Sequence, residues 1–266
     1  MSADYTQSGA ILTEARDGLM IVRLNRPDKM NPLTAETKAG LAAAVADFVS
    51  DSAHRCLLII GTGKAFCAGG DVSTMMGEQP PLAVRVRVSE STEGWARALL
   101  DCEKPVITAI NGAAVGAGFA LAMLGDIVLI SEDAYFIPGF SAMGAAADLG
   151  LALTLPRAVG MPRAKNILLR NLRISGSEAA AMGLVSEVLP AEDFAARTIE
   201  IGRQIAAAPT VSIGLTKMLV GMAYQDSLST FFKVEALAQA AAFSTGDREE
   251  GVAAFLEKRR PEFRGK

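Results

Sequence analysis

PVITAINGAAVGAGFALAMLGD, from Pro105 to Asp126, is the run that decides how this chain is read. It opens on Val106-Ile107-Thr108-Ala109-Ile110, an apolar, β-branched segment of strand length bounded by a proline and by the turn-forming pair Asn111-Gly112. Small residues follow, Ala113 to Gly118, and then a helix-forming apolar run, Phe119 to Leu124. A strand, a small-residue turn and a helix start leave the first helical N–H groups without partners inside the helix. With so little side chain in the way, a ligand oxygen can approach that backbone closely. The same residues would also suit a glycine-softened turn ahead of a core helix, so a second stretch bears on the choice.

That stretch is Gly61-Thr62-Gly63-Lys64-Ala65-Phe66-Cys67-Ala68-Gly69-Gly70-Asp71. It continues another apolar strand, Cys56 to Ile60, and again runs through a turn of small residues towards an expected helix. Two such turns can each offer one N–H to a single oxyanion.

KAFCAGGD at 64–71, followed by KPVITAINGAAVGAGFALA at 104–122, resembles the enoyl-CoA hydratase/isomerase (crotonase) superfamily, and the resemblance extends over most of the chain. It implies an α/β fold with a crotonase-like ββα spiral core, residues 1–191, holding an acyl-CoA site. A C-terminal α-helical region, 192–266, would then serve oligomerisation, as homotrimers that often pair into hexamers. The implied substrate is an acyl-CoA thioester, with no cofactor beyond the coenzyme A of the substrate itself.

Composition agrees with a large core. Of 266 residues, 50% are hydrophobic and 21% charged, with a net charge of −3, which suits a globular protein and disfavours disorder. Without a basic cluster, nucleic acid is not expected as the main partner. Cys56, Cys67 and Cys102 form no CxxC pair and read as reduced thiols. The single histidine, His54, leaves no visible metal cluster. The start MSADYTQSGA lacks a signal-peptide pattern and no apolar run reaches spanning length, so a cytoplasmic protein without a membrane partner is expected.

Along the chain, Ala10–Ala15 and Leu19–Leu24 read as a hairpin turned at Asp17-Gly18. In the loop Asn25-Arg26-Pro27-Asp28-Lys29-Met30-Asn31-Pro32, the resemblance implies that Arg26 and Lys29 border a coenzyme A channel; solvated loop charge is the other reading. Thr34 caps a helix to about Ser50. A helix at about 82–101 carries Arg85, Arg87, Trp95 and Arg97. The family walls its acyl pocket with this region, so Met75, Met76 and Trp95 are candidate acyl contacts, with ordinary packing as the alternative. Short strands at 126–131 and 134–137, then helices at 151–159 and 162–169, precede a nearly all-helical end.

When a thioester loses an α- or γ-proton, or gains a nucleophile at its β-carbon, its carbonyl oxygen becomes negative. Two backbone donors in a dry site stabilise that charge, and losing one donor raises a barrier by about 3 kcal/mol. Matching the family motif implies Gly70 and Ala117 as the donors, with Ala68, Asp71, Val72 and Phe140 as substrate-binding positions. The two glutamates of family hydratases fall on Ala120 and Phe140, neither of which can move a proton. Asp148 falls where some family isomerases hold a general base, and its apolar surroundings, Ala145 to Ala147 and Leu149 to Leu151, favour a raised pKa. Capping a helix at 149–159 is its structural alternative. A double-bond isomerase with Asp148 as base is thus expected, against a catalytically silent acyl-CoA-binding member or a hydratase working through Asp148. Dehalogenation fits poorly, since His54 lies far away and position 140 is not tryptophan; hydrolase or decarboxylase chemistry within the superfamily stays open.

Overall fold

The computed structural model describes residues 6–72 and 76–266. Strands β1 (Thr6–Ser8), β2 (Ile11–Arg16) and β3 (Leu19–Leu24) form an antiparallel meander. Beyond it come α1 (Ala35–Ser50), β4 (Cys56–Gly61), β5 (Ala65–Cys67), α2 (Pro81–Ser91) and α3 (Arg97–Asp101). The central run supplies β6 (Val106–Ile110), β7 (Ala113–Val115) and α4 (Ala117–Ala122). After it lie β8 (Ile127–Ser131), β9 (Tyr135–Ile137), α5 (Leu151–Val159), α6 (Met161–Arg170), β10 (Ile174–Ser175), α7 (Gly176–Ala181) and β11 (Glu187–Leu189). Four helices close the chain: α8 (Phe194–Ala206), α9 (Thr210–Met222), α10 (Leu228–Phe243) and α11 (Gly246–Glu257).

The strands form two sheets. One runs β1-β2-β3-β4-β6-β8-β11, parallel from β3 onward; the other runs β10-β9-β7-β5. Each turn of the spiral crosses the large sheet, turns a corner into the small sheet and then enters a helical stretch: β4 into β5, β6 into β7, β8 into β9. β4 and β6 are buried at every position, so they read as continuous apolar runs without alternation. One face of the large sheet packs with Phe48, Phe66, Phe119 and Phe136 in the main core. The rings of Phe119 and Phe136 stack 4.6 Å apart. α8 covers the other face, where Phe194 and Ala206 meet Leu19, Leu58 and Ile107.

Three sequence expectations change. Ala113 to Gly118 is not all turn: Ala113–Val115 is a strand of the small sheet, and only Gly116 turns the chain before α4. Likewise the 61–71 stretch is not all turn, since it contains strand Ala65–Cys67; the helix expected after it falls on residues that include 73–75, outside the described ones. The long helix at about 82–101 is broken by a π turn, Thr92–Ala96, in which Gly94 leaves helical geometry at φ −90°, ψ −116°. Both strands are only three residues long, too short for a clear pattern of their own, and each is fixed by pairing with partners distant in sequence.

Candidate active site

The two small-residue turns meet. Gly69 has φ +93°, and a Cβ there would sit 2.6 Å from the Val115 carbonyl oxygen and 3.5 Å from the Ala117 nitrogen. Only glycine allows the 68–70 turn to lie so close to the start of α4. Gly116, at φ 57° and ψ −122°, aims the chain so that Ala117 opens that helix. Gly118 packs equally tightly, since a Cβ there would fall 2.1 Å from the Cys67 carbonyl oxygen. Among the described residues no acceptor is found for the amides of Gly70 or Ala117. The Ala117 amide is one of the N–H groups that a helix start leaves open.

A clasp holds the first turn in place. Buried Asn31 donates from Nδ2 to the carbonyls of Thr62 (2.9 Å) and Ala65 (2.8 Å), while its Oδ1 accepts from the Arg26 amide at 2.8 Å. The Ala68 amide donates to the Met30 carbonyl at 2.9 Å, and the Leu33 amide to that of Gly69 at 2.8 Å. The Arg26–Asn31 loop thus abuts the Ala68–Gly70 turn. Arg26 is half-buried, 3.8 Å from the Glu36 carboxylate, whereas Lys29 is exposed. Asp71 is half-buried and Val72 exposed. Cys67, next to the turn, is no nucleophile: burial pushes its thiol up to about 12.

Asp148 occupies the stretch before α5. It does not cap that helix; Gly150 holds the cap position, with no side-chain hydrogen bond. Next to it Leu149 is buried with φ +50°, an uncommon conformation for leucine. The Asp148 side chain is half-buried, and its Oδ1 is shielded from solvent with no hydrogen-bond partner among the described residues. Burial raises the carboxyl pKa; the charges of Lys38 and Arg87 pull the other way, as does the residue's own amide. Phe140 is half-buried against the main core, and Ala120 is fully enclosed in it.

Lys38 and Arg87 were not singled out as site residues in the sequence. Lys38 is half-buried on α1, and its pKa is lowered by burial first and then by the charge of Arg87. A signal existed: Lys38 stands at the head of the apolar row Leu41, Val45, Phe48, where helical periodicity calls for another apolar side chain. Of the candidate acyl contacts, Met75 lies outside the described residues, Met76 is exposed and Trp95 is buried.

Comparison with known proteins matches this arrangement. A family model for enoyl-CoA hydratase/isomerase matches residues 14–266. The 1,2-epoxyphenylacetyl-CoA isomerase of Escherichia coli (strain K12) is 36% identical over 260 residues, covering 96% of this chain and 98% of the relative. The crystal structure of an enoyl-CoA hydratase/isomerase from Cupriavidus metallidurans CH34 superposes with a TM-score of 0.90 at 32% identity, over 100% of this chain and 98% of that one. An enoyl-CoA hydratase from Bacillus anthracis gives a TM-score of 0.90 at 30% identity, over 97% and 100%. With the spiral of paired strands and the two abutting turns already in view, the chain belongs to the enoyl-CoA hydratase/isomerase (crotonase) superfamily of enzymes that act on acyl-CoA thioesters.

Proposed function

We propose that the protein moves a double bond within an enoyl-CoA thioester, through an enolate held by the amides of Gly70 and Ala117, with Asp148 as the base. The observation that carries this reading is Asp148 Oδ1, a carboxylate oxygen shielded from water and without a hydrogen-bond partner among the described residues, while Ala120 and Phe140 occupy the positions of the hydratase glutamates. One carboxylate is sufficient for isomerisation. From a 3-enoyl thioester it removes a proton from C2, giving a dienolate whose developing charge on the thioester oxygen is taken by the two amides. The same carboxyl group then returns the proton at C4, leaving the double bond between C2 and C3. No redox group or metal enters this sequence.

Hydration would require a second group to orient water, and neither alanine nor phenylalanine can do so. The E. coli relative's name, an isomerase, is in keeping with this preference. Coenzyme A would run along the Arg26–Asn31 loop, with Arg26 and Lys29 towards its phosphates. Ala68, Asp71, Val72 and Phe140 would border the thioester and acyl group. Trimers or hexamers would form through the C-terminal helices.

The test is turnover of 3-enoyl-CoA to 2-enoyl-CoA. Wild-type protein is expected to convert it, and Asp148→Asn to lose at least about two orders of magnitude in kcat, the lower range for removing a general base. Turnover in Asp148→Asn at the wild-type rate would remove Asp148 from the role. Tight binding of CoA esters with no conversion across a panel would favour a silent acyl-CoA-binding member.

A further inference from the structure

Along β3, Leu19 and Ile21 face the layer covered by α8, while Met20, Val22 and Leu24 point into the main core. Alternation puts Arg23 on the α8 side, where a third apolar side chain would be expected. Its Nε is shielded from solvent and has no hydrogen-bond partner, and its guanidinium makes no ion pair among the described residues. A buried donor left unpaired is costly, the more so when it carries charge. A methionine or leucine at the same place would fill the row without that cost, so packing alone does not account for an arginine.

Arg23 lines a cavity of about 460 Å³ at the carboxyl edge of the large sheet. Gly61 and Ser131, the last residues of β4 and β8, border it together with Asn111, just past β6, and Phe194 at the start of α8. The carboxyl ends of parallel strands are where open α/β sheets hold their ligands. The volume also falls in the range of about 300–1,000 Å³ typical of small-molecule sites. Asp133, exposed in the turn between β8 and β9, is the other charged residue in the lining, and its side chain likewise has no ion pair or hydrogen bond among the described residues. A cation and an anion thus share one cavity without meeting. None of residues 68–70, 116–118 or 148 lines it, so the cavity is separate from the oxyanion turns.

We propose that this cavity binds a small hydroxylated oxyanion, with the Arg23 guanidinium on its phosphate or carboxylate group and Asp133 accepting a hydrogen bond from its hydroxyl. The planar guanidinium fits either oxyanion through two parallel N–H bonds. A bare inorganic ion would leave Asp133 and most of the cavity unused, and a ligand with negative charge throughout would be repelled by the carboxylate. A polyol phosphate or a hydroxy acid meets both groups. The inference does not depend on Asp148 or on the acyl-CoA reading of the other site.

Calorimetric titration of the full chain tests this with two pairs of probes: glycerol 3-phosphate beside propyl phosphate, and glycerate beside propionate. At least one hydroxylated probe is expected to bind about tenfold tighter than its partner without hydroxyls. Binding by the first pair assigns a polyol phosphate, and binding by the second a hydroxy acid. Arg23→Met should weaken the bound probe at least about tenfold and melt no lower than wild type, since methionine strands no donor. Asp133→Ala, in an exposed turn, should still bind but lose the preference for the hydroxylated probe, and it keeps the test valid if Arg23→Met folds poorly. Saturating octanoyl-CoA should leave the affinity unchanged. Absence of binding by every probe overturns the proposal, as does unchanged affinity in Arg23→Met or a hydroxyl preference retained in Asp133→Ala. Displacement of the probe by octanoyl-CoA overturns it too, because the anion would then lie in the coenzyme A channel.

Discussion

At the scale of single residues, the proposed chemistry turns on how Asp148 is surrounded. Burial favours its neutral form, and Lys38 and then Arg87 oppose this by favouring the anion. A base must be ionised to act, so kcat/KM for 3-enoyl-CoA should rise with pH along a limb lying above the unperturbed value of 3.8. Lys38→Met removes a cation that holds the pKa down, so the limb should move to higher pH, while Lys38→Arg leaves it in place. A limb at the same pH in both variants would mean that Asp148 and Lys38 are not coupled. The linkage to stability has a definite sign. With its folded pKa raised, Asp148 destabilises the fold above that pKa, and the effect disappears below 3.8. Asp148→Asn should therefore melt at neutral pH no lower than wild type, which separates lost catalysis from lost folding in a thermal scan. Asp148 itself was legible in the sequence as an acid among alanines and leucines. Its orphaned oxygen was not, because the groups that leave it unpaired come from distant parts of the chain.

At the scale of elements, the site depends on a turn that only glycine can make. Gly69→Ala combines a strained φ of +93° with a Cβ placed 2.6 Å from the Val115 carbonyl oxygen. The 68–70 turn must then move away from α4, separating the two amides. The expected loss in kcat is about two to three orders of magnitude, as for removal of an oxyanion donor, with substrate affinity much less affected. Near-normal kcat in Gly69→Ala would exclude this convergence as the source of rate. The turns could be read from glycine spacing alone, as could the long strands β4 and β6 from continuous apolar runs. The small sheet was hidden, since Ala113–Val115 and Ala65–Cys67 become strands only by pairing with each other and with β9. The π turn left one trace in the sequence, Gly94, a helix-weakening residue that stands at the kink.

At the scale of the whole molecule, the C-terminal helices leave large apolar side chains uncovered in the single chain. α8 buries its apolar face on the large sheet, yet Tyr224 is 78% exposed, Leu228 70% and Leu237 71%, with Phe232 and Phe243 also in solvent. Side chains of this size on neighbouring helical surfaces are what an interface between subunits covers. The C-terminal tail is anchored independently. Arg55 binds the carbonyls of Ala208 and Phe263, and Asp247 accepts from the amides of Arg264 and Gly265. This anchoring holds α9 and the tail against the core, so the exposed faces of α10 and α11 are fixed in position and not merely frayed. Sedimentation of the wild type is expected to give three or six times the chain mass of 27.8 kDa. Its melting temperature should rise with protein concentration, because association stabilises the folded subunit by mass action. Replacing both Phe232 and Leu237 by glutamate places charges on the uncovered face without touching the Gly70–Ala117–Asp148 region. That variant should sediment at a lower mass and melt at a temperature independent of concentration. A wild type that sediments as a single 27.8 kDa chain at micromolar concentration would leave these apolar faces without the proposed partner.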